Sequence, residues 1–458
     1  MITSHASKSS KTLRCVIYGN NPAAHYCLHY LYQQIPQEHL DVLLVAPPSP
    51  VSGAGFIDST AAEAHCEIGI STQELLCSDI ADTFLALAVT SPHNRAPQWL
   101  ASAGYGFSHR RQPFFQWWQP SQQLPNAPTA TTFNLNCLAA AAGRCGETPP
   151  GAPKVHQGMQ FRYTDYCNHL AARARALGLT VLHQSALLSA KNGSQYNLIL
   201  DDTTVQHADF ILDCDGALLA SAAADHGHMR TLLPVPANRS TQTPSRPYQR
   251  SPAASCVIEP TRWLLDIRGD RIDHQIIAGK FHSGFQSAWI GNLIGLGNAL
   301  NLGHFAIDPL AQAQQQLQFL LPLLPQGSNY RAQQEEFNER VAQYNQQVID
   351  LHSLCHWLAG HSRRLSAGAR EQLALFRTCG RTKQADETLL SDETWLLLPL
   401  LAGLPPRKSA FPVPTNGDDY MRWLDGLAQR YRKLATTLPS YQRHLETLMH
   451  KAGLREAP

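Results

Sequence analysis

No two cysteines stand at the Cys-x-x-Cys spacing, although the chain holds 11 of them. That excludes zinc ribbons and thioredoxin-type dithiols. The odd count argues against a disulfide framework, so reduced thiols in a cytoplasmic protein are expected. There is no run of about 18 apolar residues, and hence no expected membrane-spanning helix. Met1–Thr12 lacks the apolar core of a signal peptide and is read as a disordered tail over 1–12. Charge is scarce, at 16% with a net +2. Such a balance gives no reason to expect nucleic acid or an anionic membrane as a partner. Neither a Gly-x-Ser-x-Gly elbow nor an internal repeat is present. What remains is a globular composition, 458 residues with 43% apolar, enough for about two or three domains. The 21 histidines are expected to add charge below about pH 6.5.

The chain is organised around its first apolar runs. Leu13-Arg14-Cys15-Val16-Ile17-Tyr18 ends in Gly19-Asn20-Asn21-Pro22-Ala23-Ala24, an amphipathic segment follows, and Asp41–Val45 is a second apolar run. This predicts a β-turn-α-β unit, where a dinucleotide pyrophosphate sits against the helix N-terminus. The fingerprint Gly-x-Gly-x-x-Gly falls on Gly19, Asn21 and Ala24. Ala is an accepted third residue. Asn21 adds a side chain where the backbone should approach the phosphates, but it tolerates positive φ, so the turn is expected to survive. The second strand ends Val45-Ala46-Pro47-Pro48, without the carboxylate that would bind a ribose. A βαβ unit that still holds a dinucleotide and one that has lost it both remain open here.

Further on, Pro92–Pro128 is rich in aromatics and fits either a cavity for a flat ligand or plain packing. A helix over Cys167–Leu177 is capped by Gly178. Strands are predicted at Thr180–Leu182, Tyr196–Leu200, Asp209–Asp213 and within Val257–Ile277. Pro234–Pro252 has the composition of a mobile loop. Ala288–Gly297 is a strand entering a glycine turn. From Leu310 the pattern is helical, with segments at Leu310–Leu321, Tyr330–Leu358, Ala367–Phe376, Asp392–Leu401 and Asp418–Met449. The Gln-rich stretch Gln312–Gln318 suggests an exposed or interface helix. His352 and His356 have a spacing that can bind metal, but no third ligand is evident, and core or surface histidines are the simpler reading. His226 and His228 form a weaker pair. Arg110-Arg111 suits a solvated surface pair better than an anion site.

In this order the segments resemble the flavin-dependent tryptophan halogenase family. The resemblance rests on Val16–Ala24, Phe161-Arg162-Tyr163-Thr164-Asp165, Asp209–Gly216, Ile294–Ala299, Tyr344-Asn345, Trp395–Gly403 and Leu438–Tyr441. It implies an α/β fold: a Rossmann-type, FAD-binding core of the glutathione-reductase/PHBH-like kind over 13–310. A β-sheet layer and a helical C-terminal region over 311–458 would complete it. It further implies FAD contacts from Gly19, Asn20, Asn21, Ala23, Ala24, Asp213, Gly216, Gly295 and Gly297. Trp263 and Asp308 would lie on the substrate side, and a flavin reductase would be the partner of an active enzyme.

The sequence also departs from the family. Leu85 falls where the resemblance places the lysine that handles hypohalous acid, and Leu can neither donate a hydrogen bond nor form an amine adduct. One tryptophan of the Trp-x-Trp-x-Ile-Pro stretch is kept, as Trp263 in Arg262–Ile267. Asp308 is the only acid of Leu302–Asp308, and Gly53–Thr60 is an altered Gly-Val-Gly-Glu-Ala-Thr segment. Halogenation is therefore not expected. Two functions compete. One is an FAD-dependent monooxygenase acting on an aromatic substrate, a small molecule or a Trp of a partner protein. The other is a cofactor-free relative that serves as a binding or scaffold subunit of a partner enzyme.

Overall fold

The computed structural model describes residues 12–49, 51–91, 94–109, 111–192, 195–225, 231–244, 249–285, 287–300, 308–324, 330–383, 392–404, 406–407 and 416–454. The tail over 1–11, Arg110, His226, His228 and the part of Leu302–Asp308 before Asp308 lie outside the described residues.

Near-continuous burial marks the first unit, as in parallel sheets covered on both faces. Strand β1 (Leu13–Tyr18) is buried from Cys15 onward, helix α1 (Pro22–Gln34) buries every residue from Pro22 to Leu31, and strand β2 (Leu40–Val45) runs parallel to β1. The sheet continues on both sides in the order Trp289–Ile290, Leu293–Gly295, Phe210–Asp213, β1, β2, Thr180–Leu182. All pairings are parallel except the first. Tyr18 stands opposite both Val45 and Asp213, and Asp213 opposite Gly295. The carboxyl ends of four strands therefore meet, which is where open α/β sheets bind ligands.

A second six-stranded sheet has the order Thr231–Pro244, Asp270–Gly284, Arg262–Ile267, Ala253–Glu259, Ala86–Ser91, Asn94–Leu100. A three-stranded sheet (Ala54–Ile57, Gly158–Arg162, Ala81–Phe84) contacts it through Arg262–Ile267 and Ala253–Glu259. The C-terminal third is helical: Pro309–Leu320, Arg331–Leu358, Ala367–Cys379, Asp392–Leu401, Gly417–Thr437 and Tyr441–Lys451. The last predicted helix is thus two, divided at Leu438-Pro439, where proline cannot continue a helical ladder.

Two expectations change. Much of the supposed loop Pro234–Pro252 belongs to the edge strand Thr231–Pro244, paired with Asp270–Gly284 and shifted in register around Pro236. Proline is tolerated there because an edge strand has one side without a ladder. The Gln-rich helix is not exposed. Gln312, Gln314 and Gln316 are buried, and two of their amides serve backbone groups: Gln316 Oε1 accepts from Gly297 N at 2.8 Å, and Gln314 Nε2 donates to Ala61 O at 3.0 Å. The aromatic stretch packs on itself, with Phe114 stacked on Trp118 and edge-on to Trp117, and all three rings buried. All 11 cysteines are free. Among the described residues no helix is long and apolar enough to cross a membrane.

Candidate functional site

The turn after β1 is hydrogen-bonded by its own side chains. Gly19 has φ +140 and donates its N–H to Val45 O at 3.0 Å. Asn21, by contrast, is extended, with φ −154 and ψ 167, so positive φ is not what its residue type serves. It caps α1 instead. Its Oδ1 accepts from Ala24 N at 3.0 Å and its Nδ2 donates to Cys214 O at 2.9 Å, with the residue buried. Pro22 has no N–H to offer. Asn20 Nδ2 donates to Pro47 O (3.1 Å) and Ser49 O (3.2 Å), across the end of β2 where a ribose would lie. His25 is buried beneath, and desolvation lowers its pKa to about 4, so it is neutral near pH 7.

Asp213 faces the neighbouring turn. Its Oδ1 accepts from Asp215 N (2.9 Å) and Gly216 N (2.8 Å), and its Oδ2 from Leu219 N (2.7 Å). Burial raises its pKa to about 6 despite these three donors. Asp213 thus starts the helix Ala217–Asp225. The glycines allow close approach of the turns to one another. A Cβ on Gly297 (φ +55) would meet the Ala23 Cβ at 2.9 Å and Pro309 O at 3.1 Å, and one on Gly216 would meet the Ala299 Cα at 3.0 Å. Gly295 lies under Leu219.

Beside this lies a cavity of about 290 Å³. Its floor is Leu265, Ile267 and Ile272, on one face of the six-stranded sheet. Its wall includes Tyr163, whose hydroxyl donates to Asp308 Oδ2 at 2.7 Å. Asp308 also caps the helix Pro309–Leu320 by accepting from Leu310 N at 2.8 Å, and burial raises its pKa to about 6. Gly55 runs directly beneath this pair: a Cβ there would lie 1.7 Å from Asp308 Oδ2. Ser240 Oγ and His274 Nδ1 are 2.6 Å apart on adjacent strands, with His274 held near a pKa of about 4 by desolvation. Asn298 also lines the cavity, and its Oδ1 is buried without a hydrogen-bond partner.

The segments singled out in the sequence therefore converge in part. Gly53–Gly55, Asn298 and Asp308 share the cavity, while Gly19–Ala24, Asp213 and Gly216 form the neighbouring turns. Trp263 points elsewhere. It is buried, donates through Nε1 to His361 Nδ1 at 2.6 Å, and takes the edge of His356 at 5.5 Å. His352 and His356 are buried in the long helix. Among the described residues no group of three or more side chains is placed to hold a metal.

Leu85 is buried between strands, its N–H on Pro252 O and its carbonyl on Asn136 Nδ2. Next to it in sequence lies a cluster that residue types alone did not reveal. Asp82 is fully buried, paired with Arg250 Nε at 2.5 Å and Arg268 Nε at 3.1 Å, and accepts from the Tyr441 hydroxyl at 3.1 Å. Its one sequence signal is an acid in an otherwise uncharged run, Ala81–Ala88.

The sequence profile of the tryptophan halogenase family matches residues 14–267, more than half of the chain. The chain belongs to the tryptophan halogenase family. No curated protein sequence matches it. Solved structures similar to it include BrvH, a flavin-dependent halogenase from Brevundimonas sp. BAL3, with 17% identity, a TM-score of 0.82 and coverage of 96% of this chain and 99% of that one. Xcc4156, a flavin-dependent halogenase from Xanthomonas campestris, gives 19%, 0.80, 98% and 99%. The tryptophan 6-halogenase SttH from Streptomyces toxytricini gives 14%, 0.77, 96% and 100%. The tryptophan halogenase fold, a Rossmann-type α/β core with a helical C-terminal region, thus extends over the chain.

Proposed function

We propose that this tryptophan halogenase family member neither halogenates nor holds FAD in the family's seat, and works as a binding subunit for a partner enzyme. The carrying observation is the Asn21 carboxamide. A pyrophosphate at a helix N-terminus needs free N–H groups and a backbone it can approach. Here the Ala24 N–H is already bonded to Asn21 Oδ1, Pro22 has no N–H, and the carboxamide sits where the second glycine would leave space. Asn20 spans the carboxylate-free ribose end. The residues present do not fit FAD bound in that manner. At the expected position of the halogenation lysine stands buried Leu85.

A second reading is favoured by the cavity at Asp308. The unpartnered Asn298 Oδ1 and the Tyr163–Asp308 pair supply polar groups above an apolar floor, as ligand sites do. That reading is an FAD-dependent monooxygenase acting on an aromatic molecule or a protein-bound Trp, with a flavin reductase as partner.

Flavin content separates the two. The protein is purified without added flavin and its flavin-to-protein ratio is measured by absorbance after denaturation. The binding-subunit reading expects essentially none. A ratio approaching one flavin per chain would replace it with the monooxygenase reading.

A further inference from the structure

On the helical side, a cavity of about 490 Å³ is lined by Trp357, Arg363, Arg364, Leu365, Arg370 and Leu373. It lies at the end of the helix Arg331–Leu358 and the start of Ala367–Cys379, away from the Asp308 cavity, with which it shares no lining residue. Its volume is in the ordinary range for small-ligand sites.

Three guanidinium groups edge this one cavity, and none is within ion-pair distance of a carboxylate among the described residues. The nearby acids are engaged elsewhere. Glu371 pairs with Lys383 at 3.2 Å. Asp350 accepts from Gln346 Nε2 at 2.8 Å and lies under Gly368, whose added Cβ would meet it at 2.0 Å. Two of the three arginines are positioned by the protein. The Arg364 guanidinium lies over the Phe281 ring at 4.8 Å, and Arg370 Nη2 donates to Leu365 O at 3.1 Å. Arg363 is exposed and makes no hydrogen bond with a described residue. Like charges gathered around one space repel, and an anion entering it relieves that repulsion. Arginine presents paired donors that match phosphate oxygens. Trp357, Leu365 and Leu373 add an apolar and aromatic wall.

We propose that this cavity binds a small organic phosphate dianion with an apolar or aromatic body, such as an aryl phosphate monoester. Two negative charges answer the excess of guanidinium groups better than one, and the Trp357 wall covers the body.

The test is calorimetric titration of the full chain with phenyl phosphate at low salt, beside inorganic phosphate and phenylacetate. Wild type is expected to bind phenyl phosphate at least about tenfold more tightly than either comparison compound. The exposed double variant R363A/R370A is expected to lose about tenfold or more in affinity while melting at the wild-type temperature. If that variant fails to fold, Arg363→Gln alone serves, with a smaller loss expected. Undetectable binding by wild type overturns the proposal, as does equal affinity in wild type and variant. Equal binding of inorganic phosphate or phenylacetate overturns the assignment of an apolar-bodied dianion.

Discussion

Asn21 shows how one side chain changes what a turn can do. As a cap it satisfies an orphan helix N–H, and as a donor it joins α1 to the strand Phe210–Asp213 through Cys214. Replacing a cap of this type by Ala costs about 1 kcal/mol, and the buried Cys214 carbonyl would lose its donor as well. Asn21→Ala is therefore expected to destabilise the protein by about 1–3 kcal/mol in urea melts. An unchanged midpoint would mean that the carboxamide does not hold the turn. This role was not legible in the sequence. Asn at the second glycine position suggests tolerance of positive φ, whereas the backbone is extended and the side chain caps the helix. Asp213, which the resemblance places among the FAD contacts, accepts from three backbone N–H groups through its carboxylate.

Among the elements, the last helix, Tyr441–Lys451, is tied back to the core near the N-terminal third. The Tyr441 hydroxyl accepts from Thr83 N at 2.7 Å and donates to Asp82, beside Arg250 and Arg268. Tyr441→Phe leaves the Thr83 N–H buried and unpaired, which costs about 1–3 kcal/mol. Chemical denaturation should show that loss, and a neutral variant would contradict the tie. Asp82→Ala should cost more, about 3–5 kcal/mol, because buried Arg268 loses its fully buried partner and keeps the exposed Asp79. Elements with regular periodicity were legible: β1, α1 and β2, the helix ended by Gly178, and the long helix Arg331–Leu358. Those whose composition misleads were not. Pro, Ser and Thr hid the edge strand Thr231–Pro244, and the glutamines of Pro309–Leu320 looked solvent-facing although they serve buried backbone. Contacts such as Tyr441 with Asp82, some 360 positions apart, leave no local pattern.

Over the whole molecule, burial alters the acid response expected from 21 histidines. His25, His65 and His274 have pKa values lowered to about 4, chiefly by desolvation. In the unfolded chain they titrate near about 6.5. Between those limits the unfolded state takes up protons that the folded state refuses, so stability falls as pH falls. Asp213 and Asp308, raised to about 6, act in the opposite sense: they favour the folded state at low pH and lose that advantage as pH rises toward 6. With shifts of similar size, three histidines outweigh two carboxyls. The urea midpoint should therefore drop between about pH 6.5 and about pH 4.5. A midpoint that rises on acidification would mean the carboxyls dominate.

In this halogenase-family fold the turn after β1 is capped by Asn21 and bridged to the end of β2 by Asn20. The most direct test is equilibrium titration of the protein with FAD, oxidised and reduced, followed by calorimetry and flavin fluorescence, on wild type and Asn21→Gly. The account predicts no binding of either form by wild type up to hundreds of micromolar, with any gain appearing only in Asn21→Gly. Micromolar binding by wild type would contradict it and return the chain to the flavoenzymes.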